Sequence, residues 1–288
     1  MRPKIFFITG ASGFIGRHLI SQFRKKSEII YCLSRKKNKK IRNVKWLKGD
    51  YKSVKKNILK QINYFIHLGS SLNDKNNSFE DYIQKDFYET FNLLNKAKLC
   101  GVKNFLIAGS SFEYGCNNSL SYNLKKTSLS PVNDYAFIKI LLSLTLFWWA
   151  KKNKINLTYA RIFQVYGMGE KKSRLYPYIV KASKNNHKAY ILNPEYIRSF
   201  VPVKDVAQQL IANVMNNKNI NIVNICSKNN NLKIKEFANF VWKLNSNKKP
   251  KIFKKSKKIF TNQPKILIGR KSKYSVMGKK KLSLKITI

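Results

Sequence analysis

Lys4-Ile5-Phe6-Phe7-Ile8-Thr9-Gly10-Ala11-Ser12-Gly13-Phe14-Ile15-Gly16 carries a continuous apolar run straight into three glycines spaced three residues apart. An unbroken apolar run of this length suits a strand buried on both faces of a parallel sheet. Beyond the last glycine, Leu19, Ile20 and Phe23 fall at helical spacing. Strand, glycine turn and helix in that order make a nucleotide site. The glycines permit a tight turn, let backbone approach a pyrophosphate, and allow the helix to pack close on the sheet. The helix N-terminus adds amide donors and the positive end of its dipole. The spacing is Gly-x-x-Gly-x-x-Gly, and Gly10, Ser12, Gly13, Phe14, Ile15 and Gly16 are the candidate contacts.

The same strand–helix rhythm continues outward. Residues 28–33 read as a second strand, ending in Ser34-Arg35-Lys36. About 20 residues past such glycines an acid would hold a ribose 2′-hydroxyl and an arginine a 2′-phosphate. Arg35 without an acid points to NADP rather than NAD, an inference discounted because 58 of the 288 residues are Lys or Arg. Further strands are expected at 44–47, leaving through Gly49, Asp50 and Tyr51, and at 64–68, leaving through Gly69 and Ser70. His67 lies inside that apolar run and reads as structural, and residues 74–77 form a polar loop that could fold over a ligand. Ser78 with Asp81 makes a capping box for a helix reaching Cys100, stopped by Gly101. A strand at 104–108 delivers Gly109-Ser110-Ser111 to its C-terminal end. Open α/β sheets bind ligands beyond the carboxyl ends of their strands, so the glycine turn, Gly69-Ser70 and Ser110 are expected along one edge.

A long helix is expected over 133–152, then a strand over 155–161 running into Ile162-Phe163-Gln164-Val165-Tyr166-Gly167. From there the alternation loosens: a helix over 174–184 despite Pro177, an extended 196–203, a helix over 204–216, a strand over 219–225, a helix over 233–244 and a basic loop over 248–258. The pattern predicts an α/β fold with a doubly wound parallel sheet and a smaller C-terminal lobe. The expected division is 1–167 for nucleotide binding, with 197–226 threading back to it, and 168–196 plus 227–288 for substrate.

Tyr135 and Lys139 stand four apart on the long helix, so they project side by side from one face. An ammonium near a phenol favours the phenolate and lowers its pKa. A tyrosine tuned in this way can exchange a proton with a sugar or alcohol oxygen near neutral pH.

Composition bounds the remaining classes. A hydrophobic fraction of 43% supports a real core. The formal charge of +45 is spread over nearly every segment rather than along one stripe, which argues against a nucleic-acid partner and suits an acidic small substrate. Cys32, Cys100, Cys116 and Cys226 are isolated, with no metal-ligand spacing. No signal-peptide pattern opens the chain, and the apolar run at 140–150 is too short to span a bilayer. A soluble cytoplasmic protein with no metal and no membrane partner is expected.

Six segments, taken together and in order, resemble the extended short-chain dehydrogenase/reductase family, in its nucleotide-sugar epimerase/dehydratase/ketoreductase branch. They are Thr9-Gly-Ala-Ser-Gly-Phe-Ile-Gly16, Ile66-His-Leu-Gly69, Ser110-Ser-Phe-Glu-Tyr-Gly115, Tyr135-Ala-Phe-Ile-Lys139, Arg161-Ile-Phe-Gln-Val-Tyr-Gly167 and Arg198-Ser-Phe-Val-Pro-Val-Lys-Asp205. The resemblance implies a Rossmann-like fold. It makes Tyr135 the general acid/base, Lys139 the residue that tunes it and binds the nicotinamide ribose, and Ser110 (with Ser111 as fallback) the group that hydrogen-bonds the reacting oxygen. Arg35, Asp50, Tyr51, Leu68, Gly69 and Ser70 would contact NADP(H), with NAD(H) the alternative. Arg198 would grip a nucleotide-sugar diphosphate, since a guanidinium fork matches phosphate oxygens. Gln164, where relatives carry Asn, and Arg174 join it on the substrate side.

Departures from the family pattern narrow this expectation. Dehydratases carry an Asp-Glu pair where Ser111 and Phe112 stand, which disfavours dehydration. Asp86 replaces a common Asn, Cys226 a common Gly, and the chain at 282–288 looks short against relatives that continue into another helix. The motifs look most like the ketoreductases that make dideoxy sugars, so NADPH-dependent reduction of a nucleotide-linked 4-keto-6-deoxy sugar leads, with an NAD-dependent epimerase second. The resemblance also implies a homodimer, in which the outer side of the apolar run at 141–149 pairs with its copy.

Overall fold

The computed structural model describes residues 3–23, 28–36, 38–71, 78–116, 122, 127–227, 229–255 and 263–270. The expected loop at 74–77, the last residues of the stretch 248–258 and the segment 282–288 lie outside them.

Strand β1 (Ile5–Thr9) leads through the glycine turn into α1 (Phe14–Phe23), then β2 (Ile29–Ser34), β3 (Val44–Lys48), the short α2 (Lys56–Leu59) and β4 (Tyr64–His67). Next come α3 (Phe79–Tyr82), a π-helical turn (Ile83–Tyr88) and α4 (Glu89–Leu99), so the helix expected from Ser78 is one helical run with a wide turn inside it. Such π-helical turns occur as short interruptions inside α-helices. Ser78 makes the expected capping box with Asp81, and Gly101 takes φ +95° just past the helix. Strand β5 (Asn104–Ser110) ends in a 3₁₀ turn (Ser111–Tyr114). Then follow α5 (Asp134–Asn153), β6 (Asn156–Ile162), β7 (Gln164–Tyr166), α6 (Leu175–Lys184), β8 (Ala189–Ile191), β9 (Ile197–Pro202) and α7 (Val203–Asn216). The chain continues through β10 (Ile220–Ile225), β11 (Asn231–Lys233), α8 (Ile234–Asn245), β12 (Ile252–Lys254) and β13 (Ile266–Leu267).

Seven parallel strands form the main sheet in the order β10-β6-β5-β4-β1-β2-β3. The expected doubly wound sheet is therefore present. Its apolar runs are continuous because both faces are covered. Phe6 and Ile8 of β1 pack with Leu19, Ile20 and Phe23 of α1 and with Val206 and Leu210 of α7. Phe7 points the other way, into a cluster with Phe65, Phe105, Leu93, Leu94, Leu142 and Leu146. Each fully buried leucine or phenylalanine contributes about 1.5–3 kcal/mol relative to exposure.

The strand order reverses between β1 and β4, placing a crevice at their carboxyl ends. A smaller body packs α6 against α8 around Trp242, with Phe200 and Phe237 stacked at 3.8 Å between centroids. The basic segment expected to be loop supplies β12, which pairs with β8 in parallel. Both strands are three residues long, too short to show an alternating pattern. Among the described residues, no helix is long and apolar enough to cross a membrane.

Candidate active site

The glycine turn is shaped by contacts that tolerate no side chain. Gly10 takes φ +66°, and a Cβ there would lie 2.6 Å from the Leu68 carbonyl carbon. At Gly16 a Cβ would collide with the Gly10 carbonyl oxygen and the Ala11 backbone, which is how closely α1 packs on the turn. Gly13 donates to the Gly10 carbonyl at 3.0 Å, while Ser12 and Gly13 face outward at the start of α1. This cradle of backbone amides fits a nucleotide pyrophosphate. Phe14 and Ile15 are half-buried behind it. The Ser34 hydroxyl lies 3.4 Å from that of Ser12 and accepts from the Lys36 amide at 3.3 Å, so the end of β2, and exposed Arg35 with it, meets the turn.

Leu68 and Gly69 continue β4 alongside, and the Leu68 amide donates to the Thr9 carbonyl at 3.2 Å. A side chain on Gly69 would strike the Tyr51 hydroxyl. Burial, then the Asp86 charge, push that phenol above its usual range. Asp50 is exposed, and its carboxylate accepts from the Ser53 amide at 2.9 Å, which holds its pKa below the usual value. His67 is buried with Thr9 Oγ1 2.8 Å from Nδ1 and Thr90 Oγ1 3.5 Å from Nε2. Burial, helped by the Lys139 charge, drives its pKa down to about 3. A neutral imidazole satisfied on both nitrogens matches the structural role expected of it.

Ser110 closes β5 and caps the 3₁₀ turn: its Oγ accepts from the Phe112 amide at 3.2 Å. Its own amide donates to Glu113 Oε1 at 2.7 Å. Glu113 is fully buried. Its second oxygen pairs with Arg161 Nε at 2.8 Å, and the Tyr159 hydroxyl lies 3.0 Å from Oε1 and 2.8 Å from the Lys139 carbonyl oxygen. Burial raises the Glu113 pKa while the Arg161 guanidinium, itself stacked 4.8 Å over the Tyr114 ring, opposes the rise. Nothing local in the sequence assigns Glu113 a task. The available signal was a glutamate three residues past Ser110 in a chain with only 13 acids.

Asn133 caps α5, its side chain accepting from the Ala136 amide at 2.9 Å. Two residues past the cap, Tyr135 is half-buried, and the Ser110 side chain acts on its hydroxyl to lower its pKa. Lys139 is 3% exposed; its Nζ donates to the Ala108 carbonyl at 3.1 Å and lies 5.8 Å from the Tyr135 ring centroid. Ser110, Tyr135 and Lys139 are thus brought together at the carboxyl edge. One expectation is reversed. The Tyr135 phenol is pushed above, not below, its usual range, by burial first and then by the Glu113 and Asp86 charges, with the Ser110 hydrogen bond opposing. The ammonium aims at a carbonyl rather than at the phenol, and burial lowers its own pKa while Asp86 and Glu113 raise it. Asp86, on the π-helical turn, is 6% exposed and accepts from the Ser70 hydroxyl at 3.0 Å and the Ser71 amide at 2.8 Å.

Arg198 is 4% exposed and stacks 5.3 Å over the Tyr196 ring. Its Nη1 donates to the carbonyls of Ile197 at 2.9 Å and Lys265 at 3.2 Å, and its buried Nη2 has no partner among the described residues. Burial lowers its pKa to about 10. Gln164 is half-buried on β7, in register with Phe200, two residues past Arg198 on β9. Ser111, at the start of the 3₁₀ turn, and Ser110, at the end of β5, are both buried. Arg174 is exposed at the head of α6, with Nε 3.5 Å from Glu170 Oε1. The loop carrying Glu170 is tied to α1, where Arg17 donates to the Gly169 carbonyl at 2.8 Å.

Burial raises the Glu170 pKa from 4.5 to about 7, with Arg174 opposing. The unfolded chain ionises this carboxyl at lower pH than the folded protein, so it erodes stability as pH climbs from about 4.5 to about 7. The wild-type protein should therefore lose stability relative to Glu170→Gln across that window, with a constant gap above it. Urea titrations at several pH values read this directly. Among the described residues no two cysteines form a disulfide, and no His/Cys/Asp/Glu cluster could hold a metal.

A model of the family described as NAD dependent epimerase/dehydratase matches residues 6–226. Among curated proteins, CDP-abequose synthase of Salmonella typhimurium is 24% identical over 224 residues, 74% of this chain and 71% of that protein. The dTDP-6-deoxy-L-talose 4-dehydrogenase (NAD(+)) of Aggregatibacter actinomycetemcomitans is 24% identical over 232 residues, 76% of this chain and 83% of that one. Among solved structures, UDP-N-acetylglucosamine 4-epimerase from Methanobrevibacter ruminantium M1, in complex with UDP-N-acetylmuramic acid, superposes with a TM-score of 0.83 at 20% identity, covering 94% of this chain and 91% of that one. The last likeness is one of fold. With the family match spanning the glycine turn, Ser110, Tyr135 and Lys139, this chain belongs to the NAD dependent epimerase/dehydratase family.

Proposed function

We propose that the protein reduces the 4-keto group of a nucleotide-linked 6-deoxy sugar with NADPH. The observation that carries this reading is the meeting of Ser110, Tyr135 and Lys139 at the sheet edge that holds the glycine cradle. The nicotinamide nucleotide supplies the hydride; the protein's residues do the rest. Ser110 accepts from the Phe112 amide, so its own proton is available for the sugar oxygen. Tyr135, held protonated by burial, donates its proton to that oxygen as negative charge grows there. Lys139, buried beneath it, is the source from which the phenolate is reprotonated. Phe112 packs against the core where a dehydratase would carry an acid, which leaves one proton to manage rather than two. Arg198, with a buried unpaired nitrogen, is suited to a diphosphate oxygen. We assign sugar selection to residues 168–196 and 227–288, with Arg174 and Gln164 as its polar contacts.

Arg35 and Lys36 beside the turn, with no acid at the end of β2, favour NADPH over NADH. The decisive experiment follows NADPH and NADH oxidation against a panel of nucleotide-linked 4-keto sugars. NADPH consumption on one of them is expected. Stoichiometric NAD released from the purified protein, with no NADPH consumed, overturns the reading in favour of an epimerase using the same three residues.

The exposed face of α5 carries Phe137, Leu144 and Trp148 at 44%, 58% and 70% exposure, spaced to form one stripe. We infer a homodimer through this helix. Light scattering at micromolar concentration should give twice the chain mass for the wild type and the single-chain mass for Leu144→Lys/Trp148→Lys. A monomeric wild type ends the proposal.

A further inference from the structure

Proton transfer at one sugar oxygen needs Ser110, from β5, and Lys139, from α5, in fixed register. Lys139 is tied at both of its ends. Its Nζ donates to the Ala108 carbonyl of β5 at 3.1 Å, and its own carbonyl oxygen lies 2.8 Å from the Tyr159 hydroxyl of β6. A carbonyl oxygen has two lone pairs, so a helix residue can accept this extra donor and keep its place in the helix. The same hydroxyl lies 3.0 Å from Glu113 Oε1, and that oxygen accepts from the Ser110 amide at 2.7 Å. Hydrogen bonds therefore run without a break from the Ser110 backbone, through Glu113 and Tyr159, to the Lys139 backbone.

Part of this arrangement is a capping box, in which Glu113 returns to the amide of Ser110 at the start of the 3₁₀ turn. A capping box needs no tyrosine, no arginine and no burial. Here Glu113 and Tyr159 are fully buried, and Arg161 Nε holds the second carboxylate oxygen at 2.8 Å. A buried ion pair is costly unless further hydrogen bonds satisfy its remaining lone pairs. The Ser110 amide and the Tyr159 hydroxyl supply those bonds. Gly109 makes the space, because a Cβ there would strike both the Tyr159 ring and the Glu113 carboxylate. Burial first, then the Glu113 charge, push the Tyr159 phenol well above its usual range, so it keeps the proton it donates.

We propose that Tyr159 is a positioning residue, which through Glu113 and the Lys139 carbonyl fixes Ser110 and Lys139 relative to each other and so sets the geometry of proton transfer. This rests on the roles given to Ser110 and Lys139 above. The brace joins three elements, β5, β6 and α5, that are otherwise separate in the chain.

The test is Tyr159→Phe, which removes the hydroxyl and keeps the ring, packed edge-on against Phe147 of α5 at 5.8 Å between centroids. The Ser110 amide is followed by NMR of protein carrying ¹⁵N-serine, with its signal assigned by its absence in Ser110→Ala. This readout needs neither cofactor nor turnover. Expected is a displaced Ser110 signal. For NADPH-dependent reduction, kcat should fall about tenfold to 10²-fold, the scale of a misplaced reacting group, with KM for the nucleotide sugar and for NADPH little changed. In the Ser110→Ala background the same substitution should have a much smaller effect, because residues acting through one network are not additive. A merely structural tyrosine would lower the unfolding midpoint and leave both the Ser110 signal and the kcat of the folded protein as they were. An unmoved signal, or a kcat within about threefold of wild type in a protein that does turn over, overturns the proposal. Should Tyr159→Phe fail to fold, Glu113→Gln/Arg161→Met, which removes both charges of the pair together, takes its place, and an unmoved Ser110 signal there overturns the proposal. A displaced signal in a protein that reduces no keto sugar keeps the brace and removes the reductase reading.

Discussion

Tyr135→Phe should lower kcat by about 10²–10⁴-fold, the usual contribution of a positioned proton donor, while leaving the fold intact. The ring is retained, so its packing at the head of α5 survives, and what is lost is one hydroxyl. Removal of an interaction made only as charge develops lowers kcat and kcat/KM together, with KM for the nucleotide sugar little changed. Steady-state kinetics and thermal unfolding of the same preparation check both halves. A variant that turns over within threefold of wild type would falsify Tyr135 as the proton donor. The raised phenol pKa also has a direction: it keeps the hydroxyl protonated through neutral pH, which suits donation to an alkoxide in the reductive direction.

The second large effect concerns stability. Arg161→Met leaves Glu113 buried with its cation gone, and breaking one side of a buried pair costs about 3–5 kcal/mol. Glu113 would retain its contacts with the Ser110 amide and Tyr159 hydroxyl, but as an uncompensated charge. Its carboxyl is already pushed up by burial, with Arg161 holding it back. Removing Arg161 releases that restraint, so the variant's deficit should shrink as pH falls and Glu113 takes up a proton. The double variant Glu113→Gln/Arg161→Met should recover part of the loss, because replacing both charges removes the penalty that replacing one creates. Urea unfolding of the two single variants and the double variant measures the coupling. Activity should fall as well, since Glu113 fixes the amide of Ser110.

Local geometry explains which parts of this site were legible in advance. Gly10, Gly13 and Gly16 could be read because turn, strand and helix lie within 23 residues of one another. Tyr135 and Lys139 could be paired because helical spacing places residues four apart on one face. Ser110 could be placed because strand ends line one edge of a parallel sheet. Glu113 and Arg161 are 48 positions apart and meet because β5 and β6 are neighbours, with Gly109 opposite Arg161. Nothing local in either segment announces that pairing. The same holds for β8 and β12, whose three-residue strands support each other across the smaller body.

The chain by itself therefore determined the doubly wound sheet and the glycine turn and offered Ser110, Tyr135 and Lys139 as candidates, because each is written in spacings of a few residues. Tertiary structure alone decided how those residues are tuned. It aimed Lys139 at the Ala108 carbonyl, set Asp86 on a π-helical turn, and half-buried Tyr135 so that burial, then the Glu113 and Asp86 charges, push its pKa up. Burial and charge proximity depend on which distant segments pack together, and periodicity along a sequence carries no record of that.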